Sequence, residues 1–192
     1  MVDGQEAVAR LEAAVEVAQQ AVRGVREDQW SAPSTCEGWS VEDVTRHLVE
    51  GDERLGAALG GGEASPRTPT PEGSGWVERH RTSAWVVVDR LRRPGALEQP
   101  VTVPAGTMPG DRVAALRTVE SLVHAWDVAT STGRRLSAPD DLVDYADRMT
   151  RLLLDRLPPG RTPFGPATTA PPGATPLDRL AALLGRQVPP RH

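Results

Sequence analysis

The segment TVESLVHAWD, residues 118–127, places a carboxylate and an imidazole four residues apart in an otherwise apolar run. Residues at this spacing lie on the same face of an α-helix, so Glu120 and His124 project side by side. A buried carboxylate destabilises a protein by several kcal/mol unless it has a partner. One divalent cation could bind both side chains, on the principle of the paired ligands in H-E-x-x-H helices. The alternative is an ion pair on the helix surface, which needs no metal.

A second histidine, His47, lies in VTRHLVEGD at the edge of an apolar stripe. Side chains from facing helices meet in the core of a helical bundle, where such proteins build metal sites. His47, Glu120 and His124 would supply three protein ligands and leave a coordination position open, as in catalytic zinc sites. Two imidazoles and one carboxylate suit Zn²⁺, but also Ni²⁺ or Fe²⁺. Alternatively, His47 is a hydrogen-bonded core residue and Glu120 belongs to an unrelated ion pair.

Three further side chains could do chemistry. Cys36 lies in a turn and has no neighbouring base in the sequence, so we expect a packed structural thiol rather than a nucleophile. His80 is flanked by charged residues in VERHRTS, and we expect its ring to be solvated. Asp127 either orients a ligand imidazole through a hydrogen bond or is an ordinary acid on the helix surface.

The composition excludes several classes of protein. The chain has 192 residues and a net charge of −4, and its 22 basic residues are all arginines scattered among acids, so we expect no nucleic-acid partner. Without lysine, Schiff-base catalysis and a P-loop are both excluded. The single cysteine cannot form an internal disulfide, and no segment approaches the roughly 20 apolar residues of a membrane span. We therefore expect a soluble cytoplasmic protein with no membrane partner.

Long helices must position the candidate ligands. Apolar residues recur every three or four positions in several segments, which predicts amphipathic helices. Ser40 followed by Asp43 has the pattern of a helix N-cap. The short extended piece VTV (101–103) is too isolated to form a sheet. We predict long helices over about 5–23, 41–59, 76–92, 111–131 and 137–157, the last ended by Pro158, and a short helix near 176–185.

This order of elements predicts an all-α fold, an antiparallel four-helix bundle with an extra C-terminal helix and a Pro-rich tail. The chain length suits a single domain over residues 1–192. Its core would cover about 4–158, followed by a C-terminal strap and short helix over 159–192. Bundles with exposed apolar stripes often pair, so the sequence leaves a monomer and a homodimer open.

Two segments resemble the N-terminal domain family of mycothiol-dependent maleylpyruvate isomerase, within the wider DinB superfamily. WSAPSTCEGWSVEDVTRHL (30–48) has a Trp, a Pro-Thr-x-Cys-like turn and Gly-Trp before His47. In the second segment, a carboxylate stands four residues before a His that is followed by x-Trp-Asp, at Glu120, His124, Trp126 and Asp127. The stretch PFGPATTAPPGATPLDRLAALLGRQ (163–187) is also similar to the tail of an actinobacterial subgroup.

The resemblance implies a DinB-type core with a divalent metal, commonly zinc, bound by His47, Glu120 and His124. It further implies a small-molecule thiol, mycothiol, as cosubstrate, an electrophilic substrate, and isomerisation or thiol transfer as the reaction. Maleylpyruvate isomerisation itself is not expected. Relatives with that activity carry an additional C-terminal domain, which the roughly 30 residues after the fifth helix cannot supply.

Three classes of function follow from the sequence. The first is a metal-dependent enzyme, a thiol-dependent transferase or isomerase. The second is a non-catalytic helical bundle that binds a metal and a small ligand at the same site. The third is a metal-free interaction protein in which the three polar residues are only packed together.

Overall fold

The computed structural model describes residues 4–61, 71–104, 106–155 and 164–190. In these residues a short 3-10 turn, Glu27–Gln29, follows the first helix, and two antiparallel strands form the sheet. The all-α prediction is confirmed. The elements are α1 (Gly4–Arg23), α2 (Val41–Leu59), α3 (Gly75–Leu91), β1 (Pro100–Val103), β2 (Gly106–Pro109), α4 (Gly110–Ser131), α5 (Asp140–Leu154) and α6 (Pro176–Leu183).

Helices α1 to α4 form the predicted four-helix bundle. Both α1 and α2 pack against α3 and α4, and α5 and α6 pack on the outer side of α4. Helix α4 is therefore surrounded by other helices, and most of its residues are buried. None of the helices in the described ranges is long and apolar enough to cross a membrane.

The core consists mainly of Ala, Val and Leu, as the low aromatic content requires. One cluster surrounds the middle of α4 and includes Leu122, Trp126 and Leu180. A second lies between α1, α3 and the start of α4 and includes Leu11, Leu91 and other aliphatic residues. Each fully buried leucine contributes about 1.5–3 kcal/mol to the free energy of unfolding.

Reciprocal hydrogen bonds fix the start of α2. The Asp43 amide donates to Ser40 Oγ (3.1 Å), and the Ser40 amide donates to Asp43 Oδ2 (2.9 Å). This capping box satisfies two backbone donors at once and confirms the predicted N-cap. His47 follows on the same helix about two turns later. The cap thus determines where the imidazole lies along the bundle.

The prediction that VTV is too isolated to form a sheet was wrong. β1 pairs with β2 in an antiparallel hairpin, with Val101 opposite Met108 and Thr102 opposite Thr107. Val101 is buried against the bundle, and the two threonine hydroxyls lie 3.0 Å apart. Prolines at the ends of both strands hid the pairing, because they are tolerated only at strand ends and edges.

The fifth helix begins later than predicted, at Asp140, with Pro139 rather than Ser137 directly before it. It also ends earlier than the predicted Leu157, at Leu154, with Asp155 as its C-cap. Pro158, which was predicted to end the helix, lies outside the described residues.

Candidate metal centre

Helices α2 and α4 bring His47 and His124 together. Their ring centroids are 5.0 Å apart, and the ring planes meet edge to face at 74°. His124 is buried, whereas His47 is half-buried. The Trp39 ring lies 5.1 Å from the His47 ring and is 38% exposed. The buried His124 thus lies deeper than His47, which borders the partly exposed Trp39.

A buried carboxylate orients His124. Asp127 is completely buried, and its Oδ2 lies 3.0 Å from His124 Nδ1. Burial opposes ionisation, but His124 and Arg186 outweigh it and hold the pKa of Asp127 well below its usual range. An ionised carboxylate only accepts hydrogen bonds, so the proton of this bond lies on His124 Nδ1. Histidine ligands of metals are usually oriented in this way. Asp127 is therefore not an acid on the helix surface, and the role of His124 as a metal ligand stays a prediction.

Glu120 lies beside the two histidines and is held by an arginine. Arg117 Nη1 donates to Glu120 Oε2 at 2.9 Å. Burial opposes ionisation, but Arg117 and then the two imidazoles lower the pKa of Glu120 below its ordinary value. The side chain remains 31% exposed. Glu120 is therefore an ionised carboxylate with part of its surface free for another partner.

The protonation states of these residues fit a divalent metal. Burial, and then the neighbouring His124, lower the pKa of His47 to about 4, so its imidazole is neutral at pH 7. Neutral imidazole is the form that binds metals. The neutral imidazole of His47 and the ionised carboxylate of Glu120 are donors that Zn²⁺ prefers.

Among the described residues, one group of three possible ligands has all its ligand atoms close together, and it is not the predicted trio of His47, Glu120 and His124. Atoms of Cys36, His124 and Asp127 lie within 4.8 Å of one another. Asp127, however, already accepts from Thr35 Oγ1 at 2.6 Å, from Cys36 Sγ at 3.3 Å and twice from Arg186, besides His124. These bonds use the acceptor capacity of the carboxylate. Burial, and then the charge of Asp127, raise the pKa of the Cys36 thiol to about 12. The cluster is thus a hydrogen-bond network that supports His124.

The family model of the mycothiol maleylpyruvate isomerase N-terminal domain matches residues 11–129. The chain belongs to this family. Two uncharacterized proteins of Mycobacterium tuberculosis, from strains H37Rv and CDC 1551, are each 34% identical to it over 166 residues, which cover 85% of this chain and 88% of theirs.

Crystal structures of a mycothiol-dependent maleylpyruvate isomerase and of a mutant of it share the fold. Each superposes with a TM-score of 0.61 over 77% of this chain and 68% of the other, at 17% and 16% sequence identity. The part of this chain that the family model matches contains His47, Glu120, His124 and Asp127. Arg186 lies beyond it.

In this family member, the prediction of a solvated His80 was wrong. The ring is 1% exposed, and its Nδ1 lies 2.8 Å from Gln19 Oε1. Burial, and then the charge of Arg117, lower the pKa of His80 to about 4. His80 lies one turn after Trp76 and one turn before Ala84, on the buried stripe of α3. Its charged neighbours in the sequence project from other faces of the helix.

Sequence reasoning missed two arginines and one aspartate. Asp52 lies four residues after Leu48 on the buried stripe of α2, so helical periodicity could have revealed it. Its partner Arg117 is nearly as deeply buried, three residues before Glu120. Arg186 has no periodic signal, because it follows the end of α6 in an irregular segment.

Proposed function

We propose that this protein binds a divalent metal and uses it to activate a low-molecular-weight thiol, mycothiol or a close analogue, for transfer to or isomerisation of an electrophilic substrate. One observation carries the proposal. The rings of His47 and His124 meet edge to face, and the buried Asp127 accepts a hydrogen bond from Nδ1 of His124. The chain belongs to a family that takes its description from mycothiol maleylpyruvate isomerase, which supports mycothiol as the thiol.

His47, Glu120 and His124 are the proposed ligands, with Zn²⁺ as the first choice and Ni²⁺ or Fe²⁺ as alternatives. A bound Zn²⁺ would lower the pKa of a coordinating thiol, so that it reacts as a thiolate at neutral pH. His124 would use Nε2, because Nδ1 is bound to Asp127. Arg117 keeps Glu120 ionised and limits its motion.

Other residues prepare the site for substrates. The half-exposed Trp39 borders His47 and offers a ring surface at the accessible side. The network around Asp127 blocks the opposite side, since Arg186 and His124 are almost completely buried. The thiol and the electrophile would therefore enter past Trp39.

Metal analysis of the purified, metal-replete protein tests the proposal. We expect one divalent ion per chain in the wild type and loss of that ion in His47→Ala. His80→Gln is the matched control, because it changes a buried histidine on α3 whose Nδ1 lies against Gln19 rather than against a proposed ligand. Wild-type protein without metal in chelator-free buffer would overturn the proposal and leave a metal-free helical interaction protein.

Cobalt substitution tests the thiol. Adding mycothiol to the Co²⁺ protein should produce a sulfur-to-cobalt charge-transfer band, which the His47→Ala variant should not show. Turnover with a panel of electrophiles then separates the enzyme from the alternative, a non-catalytic metal and small-ligand binder. A charge-transfer band without turnover would support that alternative.

A further inference from the structure

We infer that Arg186 is a positioning residue for the metal centre, which acts through Asp127 on the imidazole of His124. The expected effect on zinc affinity rests on the proposed function. The effect of Arg186 on the orientation of His124 does not, and it can be tested without any metal.

The contact between Arg186 and Asp127 is bidentate. Nε donates to Asp127 Oδ1 at 3.2 Å, and Nη2 donates to Oδ2 at 3.0 Å. Nη1 donates to the Leu184 carbonyl at 2.9 Å, and Nη2 lies 3.6 Å from Cys36 Sγ. The two side chains are 10% and 0% exposed. Such planar, charge-assisted pairs fix orientation as well as adding energy.

The C-terminal segment, residues 164–190, places Arg186 beside Asp127. Trp126, next to Asp127 on α4, donates from Nε1 to Asp178 Oδ1 at 2.9 Å and so docks α6. The Arg186 amide then bonds to the Ala181 carbonyl at 3.0 Å, and Thr168 Oγ1 donates to the Arg186 carbonyl. The backbone of Arg186 is thus held on one side by α6 and on the other by Thr168, and its side chain extends from there to Asp127.

The geometry at Gly185 makes this path possible. Its φ is +86°, in the left-handed region, and a Cβ there would lie 2.8 Å from Gly165 Cα. Only glycine satisfies both the backbone angle and the close approach. The turn directs Arg186 back towards α4.

The guanidinium determines what Asp127 can do for His124. Oδ2 accepts from both Arg186 and His124, so the arginine holds the carboxylate in the plane and rotamer that receive the imidazole N–H. Without the guanidinium, the buried carboxylate keeps its bonds from Thr35 and Cys36, but no bidentate partner fixes its plane towards His124. His124 then loses the bond that places its proton on Nδ1. Lysine could not replace arginine, because it lacks two parallel donors.

Nitrogen NMR of the metal-free protein is the deciding measurement. The wild type should show His124 as one tautomer, with the proton on Nδ1. Arg186→Met should show both tautomers of His124 in exchange. Zinc competition against a chromophoric chelator should show about tenfold weaker binding. That is the lower end of the effect of losing a residue that supports a metal ligand. Arg179→Met is the matched control, since that exposed arginine of α6 donates to the Ala174 carbonyl of its own segment.

The outcomes of the two proposals are distinguishable. A wild type that binds no zinc overturns the proposed function, and the tautomer of His124 still decides the role of Arg186. Tight zinc binding in both methionine variants, or an unchanged His124 tautomer in Arg186→Met, overturns the positioning role and leaves the function intact. If Arg186→Met does not fold, Arg186→Lys decides by the same two criteria.

Discussion

The guanidinium of Arg117 and the carboxylate of Asp52 form a buried ion pair between α4 and α2. Nε and Oδ1 are 2.7 Å apart, and the two side chains are 4% and 3% exposed. Arg117 Nη2 also donates to the Leu48 carbonyl at 2.6 Å. The helix that carries His47 is therefore tied directly to the helix that carries Glu120 and His124.

Breaking this pair should be costly. In Arg117→Met, Asp52 is left buried without a cation, and we expect the free energy of unfolding to fall by about 3–5 kcal/mol. Adding Asp52→Leu should restore part of that loss, because it removes the unpaired charge. Urea unfolding followed by circular dichroism measures both. Arg151→Met, which removes an exposed pair with Asp147, should change stability by no more than about 0.5 kcal/mol.

Glu120 is expected to be a metal ligand rather than only the partner of Arg117. Glu120→Gln keeps the size of the side chain but removes the charge, and zinc affinity should fall by more than the roughly tenfold effect of losing an outer partner. Zinc competition measures the change. Glu50→Gln is the control, because that glutamate is exposed on α2 and pairs only with Arg54. Equal zinc affinities in the two variants would contradict the assignment.

His80 should make stability depend on pH. The unfolded chain binds a proton at His80 near pH 6.5, whereas the folded chain does so only near its pKa of about 4. The unfolded state therefore binds more protons in this range, and the contribution of neutral His80 is lost as the pH falls from 6.5 towards 4, by up to about 3 kcal/mol. Urea unfolding in chelator should show a shallower pH dependence for His80→Gln. Parallel curves would contradict this.

Cys36 should be unreactive in the folded protein. With its pKa raised to about 12, the thiolate fraction at pH 8 is on the order of 10³-fold below that of an ordinary cysteine. Alkylation by iodoacetamide should be correspondingly slow and should become fast in urea. Equal rates in the folded and unfolded chain would contradict the raised pKa, and a faster rate in the folded chain would indicate an activated nucleophile.

Gly185 should couple the C-terminal segment to the metal centre. In Gly185→Ala, the new Cβ would contact the backbone of Gly165, and a strained φ of this kind costs on the order of 1–3 kcal/mol. Gly173→Ala tests the strain alone, because Gly173 also has a positive φ but no atom within 4 Å of the added carbon. Zinc affinity should fall in Gly185→Ala only. A matching loss in Gly173→Ala would attribute it to general destabilisation.

Local signals explain what the sequence revealed about the fold. Helical periodicity and the capping box at Ser40 placed α1, α2, α3 and α4 within about two residues of their observed bounds. The hairpin was missed because two four-residue strands rich in Pro and Gly show no alternation of polar and apolar residues. His80 was misjudged because adjacent residues in the sequence were treated as neighbours of its ring.

The candidate metal centre was only partly predictable, because some of its residues have no local signal in the sequence. Spacing and motif in the sequence point to His47, Glu120 and His124, and the role of these residues as ligands stays a prediction. Arg186 lies 59 residues from Asp127 in the chain, and nothing in its local sequence distinguishes it from the other arginines. Its burial follows from the docking of α6, which is a tertiary contact.

Glu120, His124 and Asp127 occupy consecutive turns of α4, so helical geometry alone sets their mutual spacing. The two remaining participants, His47 and Arg186, each reach that helix through their own side chains. A single residue inserted within this stretch of α4 would rotate part of the set by about 100° around the helix axis. The alignment of the three side chains therefore depends on the continuity of one helix.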